Sequence, residues 1–569
     1  MAADLVAARR EALERAWELG AGAGRWEPLT LAGAFEQVAR RAAERPCVIA
    51  DAQVVSYGAM RAWSRELARG LLDLGLAPGD RVGILIDNRP EFVAVRLAVA
   101  WAGGVAVPLN YQYRSDDLAA ALAHARVAIL VTVARSFTTD HLAVLDALAP
   151  GWEPAVHSPR VPALRTVVLV DPERPGALDL RGLAARGSRV PESALEARVR
   201  ATDPDAVSDV LFTSGTSGRP LAAALTHDMV LRSAYGSAYH RGFADGWRSC
   251  FALPLYHVFA YVEGLLAAWF VGGAILPRRI FNPRTLLEAV DAAEAQEILA
   301  VPTMTVGLVE EAARGQYALR RLESLMSAAA AAPVWLWERV QRDLGPRMVC
   351  TGYGQTEVSA ATALTQPGDP LEVVAETVGC PKLGGRAADG EPDGRLAAYR
   401  TVEPFSGTPL PAGEEGELCA RGPIVARAYD ADPARTRERI DPDGWLRSGD
   451  LGRVRPDGYL TLTGRASELY KVGGELVAPK EVEAVLTRQP GVAQAYVAGV
   501  PDPRRGEVGW AWVVPDGTLA LDPRALIRAC RASLAPFKVP RVVRIVDAGE
   551  LPTTTTGKVQ KYRLVDSAR

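Results

Sequence analysis

The chain has 569 residues, of which 49% are hydrophobic and 23% charged, as in an ordinary soluble globular protein. One hydrophobic core stops growing well below this length, so we expect at least two domains. The formal net charge of -2 excludes a global attraction to nucleic acid or to an anionic membrane surface.

The amino-terminal residues mix acidic and basic side chains in a helical pattern and lack the apolar core of a signal peptide. The longest apolar run, residues 265–276, is too short to span a bilayer and contains a glycine pair. Six cysteines are scattered without a CxxC pair or a Cys/His cluster, which favours a reducing compartment and argues against a structural zinc site. These features predict a cytoplasmic protein without a transmembrane segment.

Helical and strand patterns alternate through the first two thirds of the chain. Residues 56–76 are predicted to form an amphipathic helix capped by Ser56, and residues 81–86 a buried strand. Further helices and buried strands are predicted in the segments 91–103, 105–109, 127–133, 285–296 and 297–302. This alternation indicates an α/β fold with largely parallel sheets.

The composition of the sequence changes after about residue 385, where glycine, proline and charged residues become frequent and the predicted strands become short. From Glu475 onward, helix, strand, strand, helix and strand patterns form a compact α+β unit. We therefore expect a large N-terminal domain, residues 1–464, built from two parallel α/β subdomains and a β-rich subdomain. A small mobile α+β domain, residues 465–569, is expected to follow it.

The stretch TSGTSG, residues 213–218, has the composition of a loop that binds phosphate. Its glycines permit positive φ and close backbone approach, so that N–H groups can converge on an anion, and its hydroxyls add donors. A cation would normally complete such a cradle. After Arg219 and Pro220, however, the chain continues with Leu221 and three alanines, and the following LTHDMVLRSA is typical of a helix.

Five further motifs follow in order: PLYHVFA (254–260), GYGQTE (352–357), GWLRSGDLG (444–452), LTGRASELYKVGGELVAPKEVE (462–483) and LPTTTTGKVQK (551–561). Together with TSGTSGRP, and at these separations, they resemble the adenylate-forming superfamily of acyl- and aryl-CoA ligases, firefly luciferase and peptide-synthetase adenylation domains. The resemblance extends from about Ser56 to the end of the chain. Its C-terminal signatures are most similar to those of fatty-acyl or aryl CoA ligases.

The resemblance implies a reaction in two steps. A carboxylate attacks the α-phosphate of Mg-ATP, giving an acyl adenylate and pyrophosphate. The small domain then rotates, and a thiol, usually that of coenzyme A, displaces AMP. The implied cofactors are ATP and Mg²⁺, with CoA as co-substrate and a small-molecule carboxylic acid as substrate. A monomer or a homodimer is expected.

Three catalytic residues are implied by matching the motifs. Lys558 would reach from the small domain to stabilise the charge that develops at the α-phosphate and carboxylate. Thr356 would donate a hydrogen bond to the α-phosphate. His257 would lie beside the carboxylate and gate the tunnel through which the thiol enters.

The resemblance implies the contacts to the metal and to the phosphates in the same way, by matching the motifs. Glu357 would hold Mg²⁺, a hard cation that prefers carboxylate oxygen, and Thr216 would lie near the metal. The residues expected to cradle the β- and γ-phosphates are Thr213, Ser214, Gly215, Thr216, Ser217 and Gly218.

The nucleoside contacts are implied on both sides of the predicted domain boundary. Asp450 would accept hydrogen bonds from the ribose hydroxyls, and Arg465 would support the same sugar. Tyr353 would offer an aromatic face to adenine. The remaining contacts are Gly352, Gly354 and Gln355 for the nucleotide, and Gly473 and Gly474 for the thiol tunnel.

The sequence departs from the family pattern at three places. Pro220-Leu221-Ala222 replaces the usual Pro-Lys-Gly, so a phosphate contact is lost. The adenine-side loop reads Ala-Ala-Ala-Pro at residues 330–333, within an alanine run interpreted as a core helix or pocket wall. The hinge position, commonly Asp or Lys, is Ser467. These departures concern the catalytic efficiency and the choice of substrate more than the resemblance to the family.

Two classes of alternative function remain. The adenylate could pass to a carrier-protein thiol or to an unusual acceptor, as in relatives that activate nitrite and diazotise an aryl amine. A degenerate homologue could bind nucleotide without turnover, which Leu221 favours and the intact Lys558, Asp450 and Glu357 oppose. Because no pocket residue that can be placed demands a second charge, we expect an acid with an apolar chain or a plain aromatic ring.

Overall fold

The computed structural model describes residues 2–17, 25–50, 53–137, 139–153, 155–213, 221–553 and 559–568. The chain divides into two compact units, the first made of Met1–Ala398 and Ala420–Leu446, the second of Tyr399–Cys419 and Arg447–Arg569. Within the described ranges, no helix has both the length and the apolar character needed to cross a membrane.

The first unit contains two seven-stranded sheets with helices packed around them. Its helices are α1 (Ala2–Ala16), α2 (Leu31–Arg41), α3 (Tyr57–Asp73), α4 (Pro90–Trp101), α5 (Ser115–His124), α6 (His141–Leu148), α7 (Leu180–Gly187), α8 (Glu192–Ala201), α9 (His227–Arg241), α10 (Ala267–Trp269), α11 (Pro283–Ala292), α12 (Pro302–Ala312), α13 (Val334–Arg339), α14 (Leu371–Glu376) and α15 (Pro433–Arg439). Two π-helices accompany them: Phe259–Leu266 leads directly into α10, and Val340–Leu344 directly follows α13.

The strands of this unit are β1 (Pro46–Ala50), β2 (Gln53–Ser56), β3 (Arg81–Leu85), β4 (Val105–Pro108), β5 (Ile129–Thr132), β6 (Arg135–Ser136), β7 (Thr139–Asp140), β8 (Thr166–Leu169), β9 (Leu178–Asp179), β10 (Val207–Thr213), β11 (Leu221–Thr226), β12 (Arg248–Phe251), β13 (Ala274–Pro277), β14 (Glu297–Ala300), β15 (Ser324–Ser327), β16 (Met348–Cys350), β17 (Gly352–Gln355), β18 (Ala360–Leu364) and β19 (Cys380–Pro381). The first sheet has the order β16-β15-β14-β12-β13-β1-β2, and the second the order β11-β10-β4-β3-β5-β8-β9. Neighbours are parallel except for the edge pairs β1–β2 and β10–β11, which confirms the predicted parallel α/β subdomains.

The predicted helix at residues 56–76 shows how local sequence places these elements. Ser56 caps α3 by accepting a hydrogen bond from the backbone N–H of Ala59 at 3.2 Å, as its sequence position predicts. The helix ends at Asp73, and Gly75 adopts a left-handed φ of 76° in the turn that follows.

Helix α9 begins later than the helical pattern of residues 225–234 predicts. Leu225 still belongs to β11, and Thr226 caps the helix by accepting from the backbone N–H of Met229 at 3.2 Å. A strand therefore separates the TSGTSG stretch from the helix. The helix ends at Gly242, whose φ of 66° is left-handed.

Buried histidines lie at both ends of α9. His227 Nδ1 accepts from the backbone N–H of Leu31 at 3.2 Å, and His240 Nδ1 accepts from that of Leu383 at 3.1 Å. Burial lowers the pKa of His227 to about 4 and that of His240 to about 3. Both imidazoles are therefore neutral in the folded chain at neutral pH.

The second unit contains a four-stranded sheet in the region predicted to be β-rich, followed by an α+β segment. Its strands are β20 (Ala398–Val402), β21 (Gly416–Arg421), β22 (Leu446–Val454), β23 (Leu460–Arg465), β24 (Tyr470–Val472), β25 (Glu475–Val477), β26 (Val492–Asp502), β27 (Gly506–Pro515) and β28 (Val542–Ile545). Helices α16 (Pro479–Thr487), α17 (Pro523–Ser533) and α18 (Lys561–Ala568) accompany them. The boundary at 464/465 lies inside this unit, before the last residue of β23, and it stays a prediction together with the mobility of the small domain.

We expect the two α9 histidines to make the protein acid-labile. Their folded pKa values lie below the usual value near 6.5, so the unfolded chain binds more protons between that pH and about 4 or 3. Stability is therefore lost as pH falls through this window, by roughly 1–3 kcal/mol for each histidine. Chemical denaturation from pH 7 to pH 4 measures the loss.

The His240→Gln variant should show a shallower fall of unfolding free energy with acid than the wild type. Replacement of the exposed His157 by Gln is the matched control and should leave the slope unchanged. An identical slope in wild type and His240→Gln would contradict the assignment.

Candidate active site

Three of the predicted site segments leave the same edge of the first sheet. Strands β12, β15 and β16 belong to one parallel set, and the segments that follow them are 252–257, 328–333 and 351–357. Because parallel strands point the same way, their carboxyl ends meet at one edge of the sheet, where open α/β sheets bind their ligands. The fold thus places the histidine, alanine and GYGQTE motifs at one edge.

Asn88, which the motif comparison missed, connects this edge to the second sheet. It is the third residue after β3 and is 3% exposed. Its Nδ2 donates to the carbonyl oxygens of Leu253 at 2.9 Å and Arg278 at 3.0 Å, while its Oδ1 accepts from the N–H of Leu255 at 2.8 Å. One amide therefore holds the backbone just before His257. The hint in the sequence is that the polar pair Asp87-Asn88 follows a buried strand.

His257 presents a neutral imidazole. Burial lowers its pKa to about 4, so it carries no positive charge at neutral pH. Its Nδ1 accepts from the backbone N–H of Phe259 at 3.3 Å, which leaves the proton on Nε2. The side chain can therefore donate one hydrogen bond to an anion. The π-helix Phe259–Leu266 that follows is a rare element, often found at functional sites.

Glu357 is held by a tyrosine that sequence reasoning did not find. The Tyr429 hydroxyl donates to Glu357 Oε1 at 2.9 Å, and the Glu357 carbonyl accepts from the N–H of Ala426 at 2.7 Å. Burial, and next the negative charge of Glu357, raise the pKa of Tyr429 well above its usual range. The phenol therefore remains a donor, and the carboxylate has a defined orientation.

The same tyrosine connects Glu357 to the hairpin of β10 and β11. Tyr429 pairs with Ala223 of β11, and the N–H of Asp430 donates to the carbonyl oxygen of Ala222 at 2.7 Å. Strand β11 begins at Leu221, three residues after the end of the predicted phosphate loop. The structure thus brings the predicted metal carboxylate next to the strand that leaves that loop.

Thr213 and Leu221 form the last described pair of this hairpin. Thr213 ends β10, Leu221 begins β11, and the two residues are ladder partners, both half-buried. Ser214, Gly215, Thr216, Ser217 and Gly218 lie outside the described residues, as does Arg219. The phosphate-binding role of the loop stays a prediction.

The glycines of GYGQTE have a packing role of their own. Strand β17 runs antiparallel to β18, and a Cβ atom on Gly354 would lie 1.7 Å from the carbonyl oxygen of Ala360. On Gly352 it would lie 2.6 Å from Leu364 Cδ2. Tyr353 between them is only 7% exposed, and Gln355 Nε2 lies 3.4 Å from its hydroxyl. The predicted adenine contacts of these residues stay predictions.

The alanine run does not form a core helix, so that interpretation was wrong. Residues 328–332 form the loop after β15, and residues 329–331 are exposed. Ala329 has a φ of 73°, a left-handed conformation in which an alanine costs about 1 kcal/mol or more. The loop leaves the carboxyl edge of the sheet, which is consistent with a pocket wall.

In the second unit, the two predicted ribose residues face each other across an antiparallel ladder. Asp450 of β22 pairs with Arg465 of β23, and Arg465 Nε lies 2.9 Å from Asp450 Oδ1. Asp450 is 5% exposed, and its backbone N–H donates to Ser448 Oγ at 3.1 Å. The structure brings this pair together, and its contact with ribose stays a prediction.

Gly473 and Gly474 form the two-residue turn between β24 and β25. Their φ values are 61° and 95°, as a tight hairpin turn requires, and a Cβ atom on either would meet no atom within 4 Å. Glycine is favoured at both positions because φ is positive there, and not because a larger side chain would collide with neighbouring atoms. The hinge candidate Ser467 is exposed in the 3-10 segment Ala466–Glu468, whereas Lys558 lies outside the described residues.

Comparison with known proteins assigns the family. The model of the AMP-binding enzyme family matches residues 35–430, and that of the AMP-binding enzyme C-terminal domain matches residues 481–558. A (methyl-dioxo-octahydroindenyl)propanoyl:CoA ligase of Mycobacterium tuberculosis is 34% identical over 94% of this chain and 98% of its own. A feruloyl-CoA synthase of an Amycolatopsis species is 32% identical over 89% and 92%.

A solved structure agrees with these relatives. ATP-bound MatB from Rhodopseudomonas palustris superimposes with a TM-score of 0.77 and 26% identity, covering 94% of this chain and 98% of its own. The chain belongs to the AMP-binding enzyme family. Within it, the chain is an acyl-CoA ligase, which forms an acyl adenylate with ATP and transfers the acyl group to CoA.

We expect Tyr429→Phe to raise the Mg²⁺ concentration needed for half-maximal ATP–pyrophosphate exchange by about tenfold, because a hydrogen bond to a charged carboxylate is lost. The rate at saturating Mg²⁺ should change less. Tyr317→Phe is the matched control, since that hydroxyl also donates to a carboxylate, that of Glu311 at 2.6 Å, in the segment between the end of α12 and β15 and away from the motif segments. An equal shift in both variants would contradict the role given to Tyr429.

Proposed function

We propose that this ligase activates a carboxylic acid that carries an apolar chain or an aromatic ring and no second charge. The observation that carries the proposal is the neutral imidazole of His257, which follows a backbone segment that Asn88 holds at Leu255. The alanine loop at the same edge offers methyl groups rather than charges. The two relatives named above are a CoA ligase for an octahydroindenyl-propanoyl group and a feruloyl-CoA synthase, which supports this class.

The residues present fit a magnesium ion bound with ATP. Glu357 is a carboxylate, the ligand type that Mg²⁺ prefers, and Tyr429 fixes it beside β11. A bound ion would neutralise charge on the phosphates. Thr216 and the remaining hydroxyls and N–H groups of residues 213–218 are proposed to contact the β- and γ-phosphates, and Thr356 the α-phosphate.

Contacts to the nucleoside and to the thiol are proposed for five further residues. Asp450 would accept hydrogen bonds from the ribose hydroxyls, with Arg465 supporting the carboxylate from which it lies 2.9 Å away. Tyr353 is proposed to contact adenine. Gly473 and Gly474 are proposed to line the path of the CoA thiol during the second step.

The function is tested by pyrophosphate release across a panel of aliphatic, aromatic and dicarboxylic acids, with and without CoA. We expect release with monocarboxylic acids, and an acyl-CoA product by mass spectrometry only when CoA is added. A dicarboxylic acid as the best substrate would contradict the proposed acid class. Adenylate that accumulates without transfer to CoA would point to a carrier-protein thiol or another acceptor.

Lys558→Ala should separate the two steps. Loss of the cation that stabilises charge at the α-phosphate should slow adenylate formation by several orders of magnitude, a loss of a few kcal/mol. Thioester formation from a supplied acyl adenylate should persist, since the proposed role of this lysine is confined to adenylate formation. Lys538→Ala is the control and should retain both steps; equal loss of both steps in Lys558→Ala would contradict the assigned role.

A further inference from the structure

Four charged side chains lie together in the interior of the first unit, outside the site described above. Each is at most 2% exposed. Two are positive and two negative, so the cluster is balanced in charge. The four residues, called here the buried ion network, are Arg241, Glu263, Glu297 and Lys382.

The network has an arginine end and a lysine end. Arg241 lies 2.5 Å from Glu297 Oε1 and donates to the carbonyl oxygen of Glu263 at 2.7 Å. Its Nη2 is also 3.3 Å from Glu263 Oε2. Ser249 Oγ donates to Glu297 Oε2 at 2.7 Å and closes the arginine end.

At the lysine end, Lys382 Nζ lies 3.7 Å from Glu263 Oε1. It donates to the carbonyl oxygen and the hydroxyl of Ser233, both at 2.9 Å, and to the Ser237 hydroxyl at 2.8 Å. Burial lowers the pKa of Lys382 to about 8, and the charge of Glu263 opposes that shift. The ammonium is therefore still charged at neutral pH.

Two hydrogen bonds lead from the lysine end to the turn that follows Thr356 and Glu357. Glu263 Oε1 accepts from the backbone N–H of Ala361 at 3.1 Å. Ser233 Oγ, itself bonded to Lys382, donates to the carbonyl oxygen of Ser359 at 2.5 Å. The first and last residues of the three-residue turn 359–361 are therefore each held by a hydrogen bond from the lysine end of the network.

The turn needs such support because its backbone is strained. Ser359 has a φ of 55° and Ala360 a φ of 83°, and neither is a glycine. Residues in sparsely populated backbone regions persist where surrounding contacts over-determine them, and they cluster at functional sites. Here the strained pair begins one residue after the 3-10 segment Thr356–Val358.

We propose that Glu263 and Lys382 are positioning residues for Thr356 and Glu357. By holding the strained turn 359–361, they keep the Thr356 hydroxyl and the Glu357 carboxylate oriented for magnesium–ATP. The inference rests on the proposed role of these two residues in nucleotide binding. Lys382 and Arg241 both place a positive charge beside the carboxylate that accepts the Ala361 N–H.

Calorimetric titration of the full-length protein with ATP and Mg²⁺ tests this role without requiring turnover. Glu263→Ala removes the acceptor for Ala361 and should weaken binding about tenfold or more. Glu263→Gln combined with Lys382→Met keeps an acceptor and removes both charges, so it should restore binding to near the wild-type value.

Glu297→Gln is the matched control. It removes one buried charge at the arginine end, so it should lower the melting temperature comparably and leave ATP affinity unchanged. Hydrogen exchange of a peptide covering residues 356–364 should accelerate in Glu263→Ala and not in Glu297→Gln. Equal loss of affinity in both single variants, or unchanged affinity and exchange in Glu263→Ala, would overturn the inference.

Failure of the proposed function gives a different result. A wild-type protein that binds ATP with Mg²⁺ but releases no pyrophosphate with any acid would contradict the acid-activating function. The affinity difference between Glu263→Ala and Glu297→Gln would still be measurable in that protein and would support the positioning role.

Discussion

The candidate site depends on one constraint: parallel strands end together, and the chain that leaves them loses its ladder partners. Backbone N–H and C=O groups at that edge must find other hydrogen bonds. Asn88 supplies them to the segment before His257, and Tyr429 joins the segment that carries Glu357 to β11. Two polar side chains thus determine where the predicted acid-binding and metal-binding groups lie.

Two side chains at this edge are neutral donors. His257 is uncharged because burial disfavours the imidazolium form, and Tyr429 keeps its proton because burial and Glu357 disfavour the phenolate. Neutral donors can orient an anionic substrate without forming a tight ion pair that would have to be broken when AMP leaves. This arrangement suits a reaction in which the charge on the carboxylate and phosphate changes at each step.

Sequence patterns predict local structure well here and tertiary partners poorly. The alternation of helix and buried strand predicts α3, the parallel strands and the motif segments, because each depends on residues near in sequence. Tyr429 lies 72 residues from Glu357, and Lys382 lies 149 residues from Ser233, so periodicity carries no information about either contact. Strand β11 was missed because its alanines continue smoothly into the pattern of α9.

The buried ion network and the strained turn are best understood as one energetic unit. Two left-handed residues cost about 1–3 kcal/mol each, and buried charges add a desolvation cost. An apolar core would avoid the second cost, but it could not accept the N–H of Ala361, which would then be buried without a partner. The carboxylate of Glu263 satisfies that N–H, and Lys382 balances the carboxylate. Buried charge here stabilises a backbone conformation that the sequence would not otherwise adopt.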